Sequence, residues 1–380
     1  MVEKPIVIVY RDHLLARSET FVLTQAEALQ RFIPYYVGSR LMRGLPLPLE
    51  RTLVVNHNGL LGKSSEAIFK VWGLAPALTR RVRDLHPALI HAHFGPDGVT
   101  ALPLARSLRL PLLVTFHGYD VTVSDDYARR SFYNHRLYLR RRETLKHEGK
   151  LFIAVSQFIR RKLLEQGFPS DKIVVHYIGV DTKAFQPDLA VRREPTVLFV
   201  GRLTEKKGCE YLIRAMSRVQ ATMPEVQLIV VGDGPLRAEL EGLAARLLRR
   251  YKFVGMQPSR VVRSWMNRAR LLCAPSVTAS SGDSEGLPIT VVEALAMGLP
   301  VVGSVHAGIP EAVIHGEIGF LIAERDSTAL ASYILQLLKD ESLWQRFSTQ
   351  GRERAHRLFD IHKQVHTLEN IYQAILEGTG

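Results

Sequence analysis

The sequence predicts an α/β protein built from two doubly wound parallel-sheet domains, and three observations support this. Short continuous apolar runs alternate with helix-length segments through both halves, which is typical of parallel strands buried on both faces. The series of strands restarts near residue 195. The length of 380 residues exceeds what one ordinary core needs and suits two domains.

Thirteen apolar runs carry this prediction. The strand candidates are 6–10, 35–37, 53–56, 89–93, 112–117, 151–156 and 173–177 in the first half, and 197–201, 227–231, 251–254, 269–274, 300–303 and 319–322 in the second. The polar stretch 186–195, bracketed by prolines, reads as a linker. We therefore predict domains at residues 1–188 and 189–357, and a last helix at about 358–380 that can pack back on the first domain. Doubly wound sheets bind ligands at the carboxyl ends of their strands, so we expect the two domains to face one interdomain cleft.

The net charge of +13 is concentrated in the first half. Residues 1–185 hold 27 Lys and Arg against 16 Asp and Glu, or +11, which leaves 23 against 21, or +2, for the rest. Such asymmetry predicts an anionic partner: nucleic acid, an acidic polymer or a phospholipid surface. Aromatic residues in the most basic stretch, 129–162, recur at helical spacing, and no nucleic-acid module signature is present. We therefore expect contact with an anionic membrane and not with nucleic acid.

Composition also bears on the compartment. The two cysteines, Cys209 and Cys273, supply no disulfide framework, which favours a reducing compartment. The N-terminus shows no signal-peptide pattern, and no apolar run reaches the ~18 residues that a membrane span needs. We expect a cytoplasmic protein, peripheral at the inner face of the plasma membrane. The segment Ala67–Leu74 is either a helix at that interface or an ordinary core helix.

The first candidate site motif is the segment Phe199–Gly208, which reads as a strand, a turn at Gly201 and two cations before a helix. A lysine pair where a helix begins opposes the helix dipole, and a bound anion would relieve that conflict. Arg202 and Lys207 would hold a diphosphate through charge-assisted hydrogen bonds. The alternative is a solvated lysine pair without a ligand.

The second motif is the segment Ala274–Glu293, a strand end, a Ser/Gly-rich loop and a helix. Pro288 suits the first turn of that helix, and the backbone N–H groups of Gly286, Leu287 and Ile289 form a candidate anion site. Glu285 and Glu293 offer carboxylates for two separate hydroxyl-bearing groups. The alternative for Glu285 is that it only favours the helix N-terminus.

Other motifs are weaker. The turn at Gly232 starts like G-x-G-x-x-G, but Arg237 stands at the third glycine position. In the first half, the segment 17–21 follows the first strand, and the segments 91–95 and 116–120 each end a strand. His91 and His93 share one face and raise the possibility of a metal pair, with Asp97 as the one carboxylate nearby. Because no isolated D-x-D pair is present either, we predict no metal site.

Together these motifs resemble the retaining glycosyltransferases of family 4, which have the two-domain GT-B fold. The resemblance covers nearly the whole chain, and its most specific element is the E-x7-E spacing of Glu285 and Glu293. It implies that Arg202 and Lys207 bind the donor diphosphate next to Gly201. It also implies that Glu293 binds the ribose hydroxyls and Glu285 the donor sugar, beside Gly286, Leu287 and Pro288. The nucleobase would lie near Gly255 and Met256.

The first half departs from the family at residues 17–21, where many relatives have a glycine-rich loop. The resemblance is to a subgroup that builds bacterial exopolysaccharide or lipopolysaccharide, colanic-acid-type transferases among them. It implies that His117 and Asp120 line the reaction centre and the saccharide-acceptor pocket. It further implies a metal-independent reaction that retains the anomeric configuration. We expect a UDP-hexose donor, with GDP-mannose second, and a glycan or lipid-linked saccharide as acceptor.

Three alternatives stay open at this point. The first is a nucleotide-sugar epimerase on the same fold, which would need no second substrate. The second is a nicotinamide-dependent dehydrogenase, which the missing third glycine disfavours. The third is an inactive regulatory homologue. The presence of all four candidate donor-site residues argues against it: Arg202, Lys207, Glu285 and Glu293.

Overall fold

The computed structural model describes residues 4–16, 18–42, 44–56, 60–131 and 133–378. The chain divides into two compact units, which we describe separately. Unit 1 comprises Met1–Gly179 and Ile361–Gly380, and unit 2 comprises Val180–Asp360. The division falls at 179/180, and the stretch 186–195 lies within unit 2, where the Asp188 N–H donates to Asn267 Oδ1 at 3.0 Å.

Unit 1 is built on a parallel sheet. Its described strands are β1 (Ile6–Tyr10), β2 (His13–Leu14), β3 (Ile33–Leu41), β4 (Thr52–Asn56), β5 (Leu89–His93), β6 (Leu112–Phe116), β7 (Leu151–Ala154) and β8 (Ile173–Val175). Their order is β2-β3-β1-β5-β6-β7-β8, with β4 paired to β3. β5, β6 and β7 are buried at every position, as their continuous apolar sequences require for a sheet covered on both faces.

Helices surround this sheet, and the last one comes from the end of the chain. The described helices of unit 1 are α1 (Thr20–Glu27), α2 (Leu60–Trp72), α3 (Pro76–Asp84), α4 (Gly95–Leu108), α5 (Tyr119–Thr122), α6 (Asp125–Arg130), α7 (Tyr133–Glu148), α8 (Gln157–Glu165) and, after unit 2, α16 (Ile361–Leu376). α16 buries Val365 and Tyr372 in one cluster with Val7 and Leu89 of the sheet. The C-terminal helix is therefore part of the core of unit 1.

Unit 2 has the strand order of a dinucleotide-binding domain. Its described strands are β9 (Thr196–Val200), β10 (Gln227–Val231), β11 (Tyr251–Gly255), β12 (Leu271–Ala274), β13 (Val301–Ser304) and β14 (Gly319–Ile322). They pair in parallel in the order β11-β10-β9-β12-β13-β14. The winding reverses between β9 and β12, and such a switch point is where open α/β sheets bind ligands.

The helices of unit 2 cover both faces of that sheet. Those described are α9 (Cys209–Thr222), α10 (Arg237–Leu247), α11 (Ser259–Arg268), α12 (Ile289–Ala296), α13 (Ile309–Ala312), α14 (Ser327–Lys339) and α15 (Glu341–Leu358). α9 shows why they pack as they do: Leu212, Met216 and Val219 recur at helical spacing and are fully buried against the strands.

The predicted fold class, two Rossmann-like parallel-sheet domains, is confirmed. Some strand ends differ from the prediction. β7 ends at Ala154, two residues early, because Ser156 instead caps α8 and its Oγ accepts from the Ile159 N–H at 3.2 Å. In the described part of the chain no helix is long and apolar enough to cross a bilayer.

Candidate functional site

Three loops meet at the switch point of unit 2, and glycines allow their close approach. Gly208 has φ +61°, and a Cβ there would lie 1.9 Å from the Pro275 carbonyl oxygen. Gly232 has φ +140°, and a Cβ there would lie 1.8 Å from the Gly201 carbonyl oxygen. Side chains at these positions would drive apart the loops after β9, β10 and β12. The Gly232 turn is thus a packing requirement of this site.

The lysine pair lies in a 3-10 turn, Glu205–Lys207, that precedes α9. The lysines therefore stand just before the helix, and Lys207 is two residues ahead of its first residue, Cys209. Lys206 Nζ pairs with Asp283 Oδ1 at 2.9 Å, and Lys207 Nζ pairs with Glu285 Oε1 at 2.8 Å. Carboxylates of the neighbouring loop therefore neutralise both cations in this structure.

We call residues 275–288, which follow β12, the donor loop. Beside the two ion pairs, the Glu205 carboxylate accepts from the Ser280 N–H at 2.9 Å and from its Oγ at 2.8 Å. Three consecutive side chains of the turn after β9 thus hold the donor loop. Arg202, in contrast, is exposed, and no ion pair among the described residues engages it.

Glu285 is buried at 7% exposure. Burial alone would raise the pKa of its carboxyl, but Lys207 and Lys206 outweigh burial and hold the pKa below its usual value. The Glu285 N–H donates to His306 Nε2 at 3.2 Å. Glu285 is therefore an ionised carboxylate with its main chain anchored and one lysine as partner.

The backbone after Glu285 is buried and leads into α12, which begins at Ile289 after Pro288. The structure records no hydrogen bond from the N–H of Gly286 or Leu287 to another described residue. Pro288 has φ −65° and ψ 112°, so it stands just before the helix as its N-cap. These amides remain candidates for an anion next to Lys207.

Glu293 lies one turn into α12 and is half-buried. Burial raises the pKa of its carboxyl to about 8, and the Arg263 guanidinium opposes only part of this shift. Gly255 ends β11, and its carbonyl accepts the Gly232 N–H at 2.9 Å. Met256 follows and is exposed. The predicted nucleobase residues therefore lie at the end of the outermost strand on the β10 side of the switch point.

In unit 1, Asp120 is buried, and both its oxygens face backbone amides. Oδ1 accepts from the Gly118 N–H at 2.8 Å and the His117 N–H at 3.1 Å, and Oδ2 from the Gly95 N–H at 3.0 Å. Burial raises the pKa of Asp120 to about 6, against these hydrogen bonds. Asp120 thus ties the loop after β6 to the start of α4.

His117 lies in an aromatic setting. Its ring is 4.6 Å from the Phe94 ring and 4.9 Å from the Phe21 ring, and its Nε2 is 3.0 Å from His93 Nδ1. Burial, then the charges of His91 and Arg11, lower its pKa well below the usual value. Nδ1 is buried without a hydrogen-bond partner among the described residues. The imidazole is therefore neutral and keeps one nitrogen available.

The metal alternative for His91 and His93 gains no support from their contacts. His91 Nδ1 lies 2.6 Å from the Tyr372 hydroxyl, and its Nε2 lies 2.6 Å from Thr115 Oγ1. Both nitrogens of His91 are thus engaged within the fold. A search of the described residues finds no group of three His, Cys, Asp or Glu that could hold a metal ion.

Several functional candidates escaped the sequence analysis. The Arg11 guanidinium, after β1, binds Glu19 at 2.7 Å, pairs with Asp97 and lies 4.4 Å from the centre of the Phe94 ring. Burial raises the pKa of Asp97 to about 7 although Arg11 opposes it. Arg17, in the segment that departs from the family, lies outside the described residues. His306 lies in the segment 300–311, a strand that opens into a small-residue loop, but it was given no role, because its partners Glu285 and Glu324 lie in other loops.

Comparisons with known proteins agree with this architecture. The model of the family described as Glycosyltransferase Family 4 matches residues 18–184, and that of Glycosyl transferases group 1 matches residues 181–354. Over 291 residues the chain is 32% identical to WcaL of Salmonella typhimurium, assigned to colanic acid biosynthesis; the match covers 75% of this chain and 70% of WcaL. It is 30% identical to the amylovoran biosynthesis glycosyltransferase AmsK of Erwinia amylovora, over 85% of this chain and 78% of AmsK.

A solved structure shows the same fold. The crystal structure of Anabaena Alr3699/HepE in complex with UDP and glucose superposes with a TM-score of 0.77, at 22% identity, over 97% of this chain and 100% of that one. The fold is GT-B. Both family models match in order along the chain, and the relatives are 30% identical or more. The chain is therefore a glycosyltransferase and belongs to glycosyltransferase family 4.

Proposed function

We propose that this chain is a retaining, metal-independent hexosyltransferase that uses a UDP-sugar, with GDP-mannose as the second candidate donor. The acceptor is a glycan or a lipid-linked saccharide in exopolysaccharide or lipopolysaccharide synthesis. The relatives WcaL and AmsK, both named for polysaccharide biosynthesis, support the pathway class. The UDP and glucose bound to HepE support the donor class.

The observation that carries the proposal is the Lys207–Glu285 ion pair beside the amides of Gly286 and Leu287. A diphosphate placed there accepts hydrogen bonds from Lys207 and from those amides, with Arg202 as a second cation. Glu285 then exchanges its lysine partner for a sugar hydroxyl. Each charge-assisted hydrogen bond contributes about 1.5–3 kcal/mol, and the bonds to the diphosphate and to the sugar hydroxyl together replace the ion pair that is lost.

The same cations serve the reaction. As the bond to the donor sugar breaks, negative charge develops on the diphosphate, and preorganised donors are worth most where charge develops. Arg202, Lys207 and the start of α12 neutralise that charge, so the proposal needs no divalent ion. Glu293 accepts hydrogen bonds from the ribose hydroxyls, and the nucleobase lies by Gly255 and Met256.

In unit 1, we assign the saccharide acceptor to the neighbourhood of His117. Phe21 is half-buried and packs against the His117 ring, which suits the apolar face of a sugar ring, and the buried Nδ1 has no hydrogen-bond partner among the described residues. Asp120 acts through the loop that it holds.

A nucleotide panel tests the donor assignment. We expect UDP and a UDP-sugar to raise the melting temperature in EDTA, because a ligand at 100 times its Kd adds about 2.7 kcal/mol. A response to GDP and GDP-mannose would instead select the second donor. No response to any of these nucleotides, or one to NAD alone, would contradict the proposed site.

We also propose that unit 1 contacts an anionic membrane through the end of α2. Ile68, Val71, Trp72 and Leu74 are exposed there, Trp72 at 65% and Leu74 at 60%. Arg141 of α7 lies next to them, and its Nη2 donates to the Val71 carbonyl at 3.3 Å. Apolar side chains beside cations are what an interfacial helix presents to anionic lipid. The excess of +11 in residues 1–185 adds attraction.

Co-sedimentation with vesicles of phosphatidylglycerol tests the membrane proposal. We expect the wild type to bind at low salt and Trp72→Ser with Leu74→Ser to reduce binding. Leu189→Ser is the matched control, since Leu189 is 90% exposed and lies in unit 2. Wild-type binding by the double variant, or no binding by the wild type, would contradict the proposal.

A further inference from the structure

His306 and Glu324 lie beside the donor loop and belong to neighbouring strands of unit 2. His306 follows β13 and is buried at 3% exposure, and Glu324 follows β14. His306 Nδ1 lies 2.7 Å from Glu324 Oε1, and His306 Nε2 lies 3.2 Å from the Glu285 nitrogen. A chain of hydrogen bonds therefore runs from the end of β14 to the main chain of Glu285.

The partners of His306 determine its tautomer. A neutral imidazole carries one N–H donor and one lone-pair acceptor. The Glu285 N–H can only donate, so Nε2 must accept, and Nδ1 must donate to the Glu324 carboxylate. Glu324 thus fixes the tautomer in which His306 can hold Glu285.

Glu324 also holds the beginning of the donor loop. Its Oε2 accepts from the Thr278 N–H at 2.9 Å, and its Oε1 accepts from Thr278 Oγ1 at 3.1 Å. One carboxylate therefore anchors Thr278 directly and Glu285 through His306. These two points are seven residues apart along the loop, so Glu324 sets the path of the segment between them.

We propose that His306 and Glu324 are positioning residues that hold the Glu285 carboxylate where the sugar of the donor binds. The inference rests on the proposed function, which assigns the donor sugar to Glu285. Neither side chain is assigned a contact with the donor: both act by fixing the main chain on which Glu285 is carried. Their loss should weaken recognition of the sugar and leave recognition of the nucleotide diphosphate intact.

Two amide variants separate the hydrogen bonds of His306. In His306→Asn the amide nitrogen takes the place of Nδ1 and can still donate to Glu324, but nothing replaces Nε2. In His306→Gln the amide oxygen takes the place of Nε2 and can still accept from the Glu285 N–H. We therefore expect His306→Asn to be impaired and His306→Gln to retain more sugar recognition.

Glu324→Gln removes the second link. Its amide nitrogen must face either His306 Nδ1 or the Thr278 N–H. In the first case the imidazole has to switch to the tautomer that cannot accept from Glu285, and in the second case two donors oppose each other. Either arrangement should resemble His306→Asn. Glu317→Gln is the matched control, because Glu317 is exposed in the same unit.

The experiment compares binding of UDP with UDP-glucose, and of GDP with GDP-mannose, by titration calorimetry in EDTA. The ratio of the two affinities isolates the sugar. We expect His306→Asn and Glu324→Gln to bind the sugar nucleotide about fivefold more weakly than wild type, because each variant loses one hydrogen bond that positions Glu285. Binding of the bare nucleotide should stay near wild type. The melting temperature without ligand should fall in both variants, because the buried Glu285 N–H loses its acceptor, and Glu317→Gln should match wild type throughout.

The outcomes separate the two levels of the argument. If the wild type gains nothing from either sugar, or if Glu285→Gln binds the sugar nucleotide as wild type does, the proposed role of Glu285 fails. If Glu285→Gln is impaired but His306→Asn and Glu324→Gln are not, only the positioning inference fails. If His306→Asn and His306→Gln were equally impaired, His306 would act through packing and not through its hydrogen bond to Glu285. That result would also overturn the positioning inference.

Discussion

Both units place polar side chains at the carboxyl ends of their strands, but they hold charge differently. In unit 2 the Lys207–Glu285 pair consists of two side chains with one partner each in the ion-pair network. In unit 1 charges are enclosed: Arg11 is shared by Glu19 and Asp97, and Asp120 is surrounded by three amides. The imidazole of His117 is kept neutral by burial.

This difference matches two kinds of ligand. A single ion pair can exchange partners with a ligand that carries both a negative diphosphate and neutral hydroxyls. An enclosed network cannot do so without leaving a buried charge unpaired, which is costly. Unit 2 is thus suited to a nucleotide sugar. In unit 1, our proposal assigns the sugar acceptor to the neighbourhood of His117, where Phe21 packs against the imidazole.

The largest expected effect is at the exchangeable pair. Lys207→Ala should lower the rate of sugar transfer by about 10²–10³, the usual cost of one group that stabilises developing charge. Initial rates with the donor that the nucleotide panel selects measure this. Lys339→Ala is the control, since Lys339 is exposed in the same unit. If Lys207→Ala transferred sugar at the wild-type rate, the Lys207–Glu285 pair would not serve the donor, and the contrast between the two units would have no functional basis.

Asp120→Asn should disrupt the enclosed network of unit 1. An amide nitrogen would replace one of the two oxygens that face backbone N–H groups, and buried donors would be left unpaired. We expect unit 1 to lose about 3 kcal/mol of unfolding free energy, measured by urea denaturation. Asp171→Asn, at an exposed position, should be neutral. If Asp120→Asn left stability unchanged but weakened UDP binding, the assignment of Asp120 to the structure of unit 1 would be wrong.

A smaller effect is expected at the neutral imidazole. His117→Ala should raise KM for the saccharide acceptor by about tenfold, the worth of roughly one hydrogen bond and its packing. KM for the donor should not change. Steady-state kinetics with each substrate varied separately will measure the two constants. A rise in donor KM alone would move His117 out of the acceptor pocket.

A pH dependence of stability is expected at Glu293. Its pKa of about 8 in the folded state lies above its ordinary value of 4.5, so folding favours the protonated form. Wild-type stability should therefore fall, relative to Glu293→Gln, as pH rises from 4.5 to 8. Melting temperatures of both proteins across this range test the sign. A constant difference between them would mean that Glu293 titrates normally.

The sequence predicted the strands well because continuous apolar runs report burial directly, as in β5 and β10. It missed β2, since two residues, His13 and Leu14, give no periodic signal. Gly201, Lys207, Glu285 and Glu293 stood out because chemistry and spacing coincide within short segments.

The rest of the site could not be read from the sequence. Arg11 acquires its setting from Asp97, 86 positions away, and His306 from Glu324, 18 positions away on the next strand. Neither pair has a local pattern. α9 begins two residues after Lys207 because Gly208, in the left-handed region, separates the 3-10 turn from the helix.

The central claim is that the Lys207–Glu285 pair separates to bind the two ends of a nucleotide sugar without metal. Calorimetric titration of UDP and UDP-glucose into wild type, Lys207→Ala and Glu285→Gln, all in EDTA, tests it most directly. We predict that Lys207→Ala weakens both ligands, whereas Glu285→Gln weakens UDP-glucose and leaves UDP unchanged. Equal affinities across the three proteins, or binding by the wild type only when a divalent ion is restored, would contradict the account.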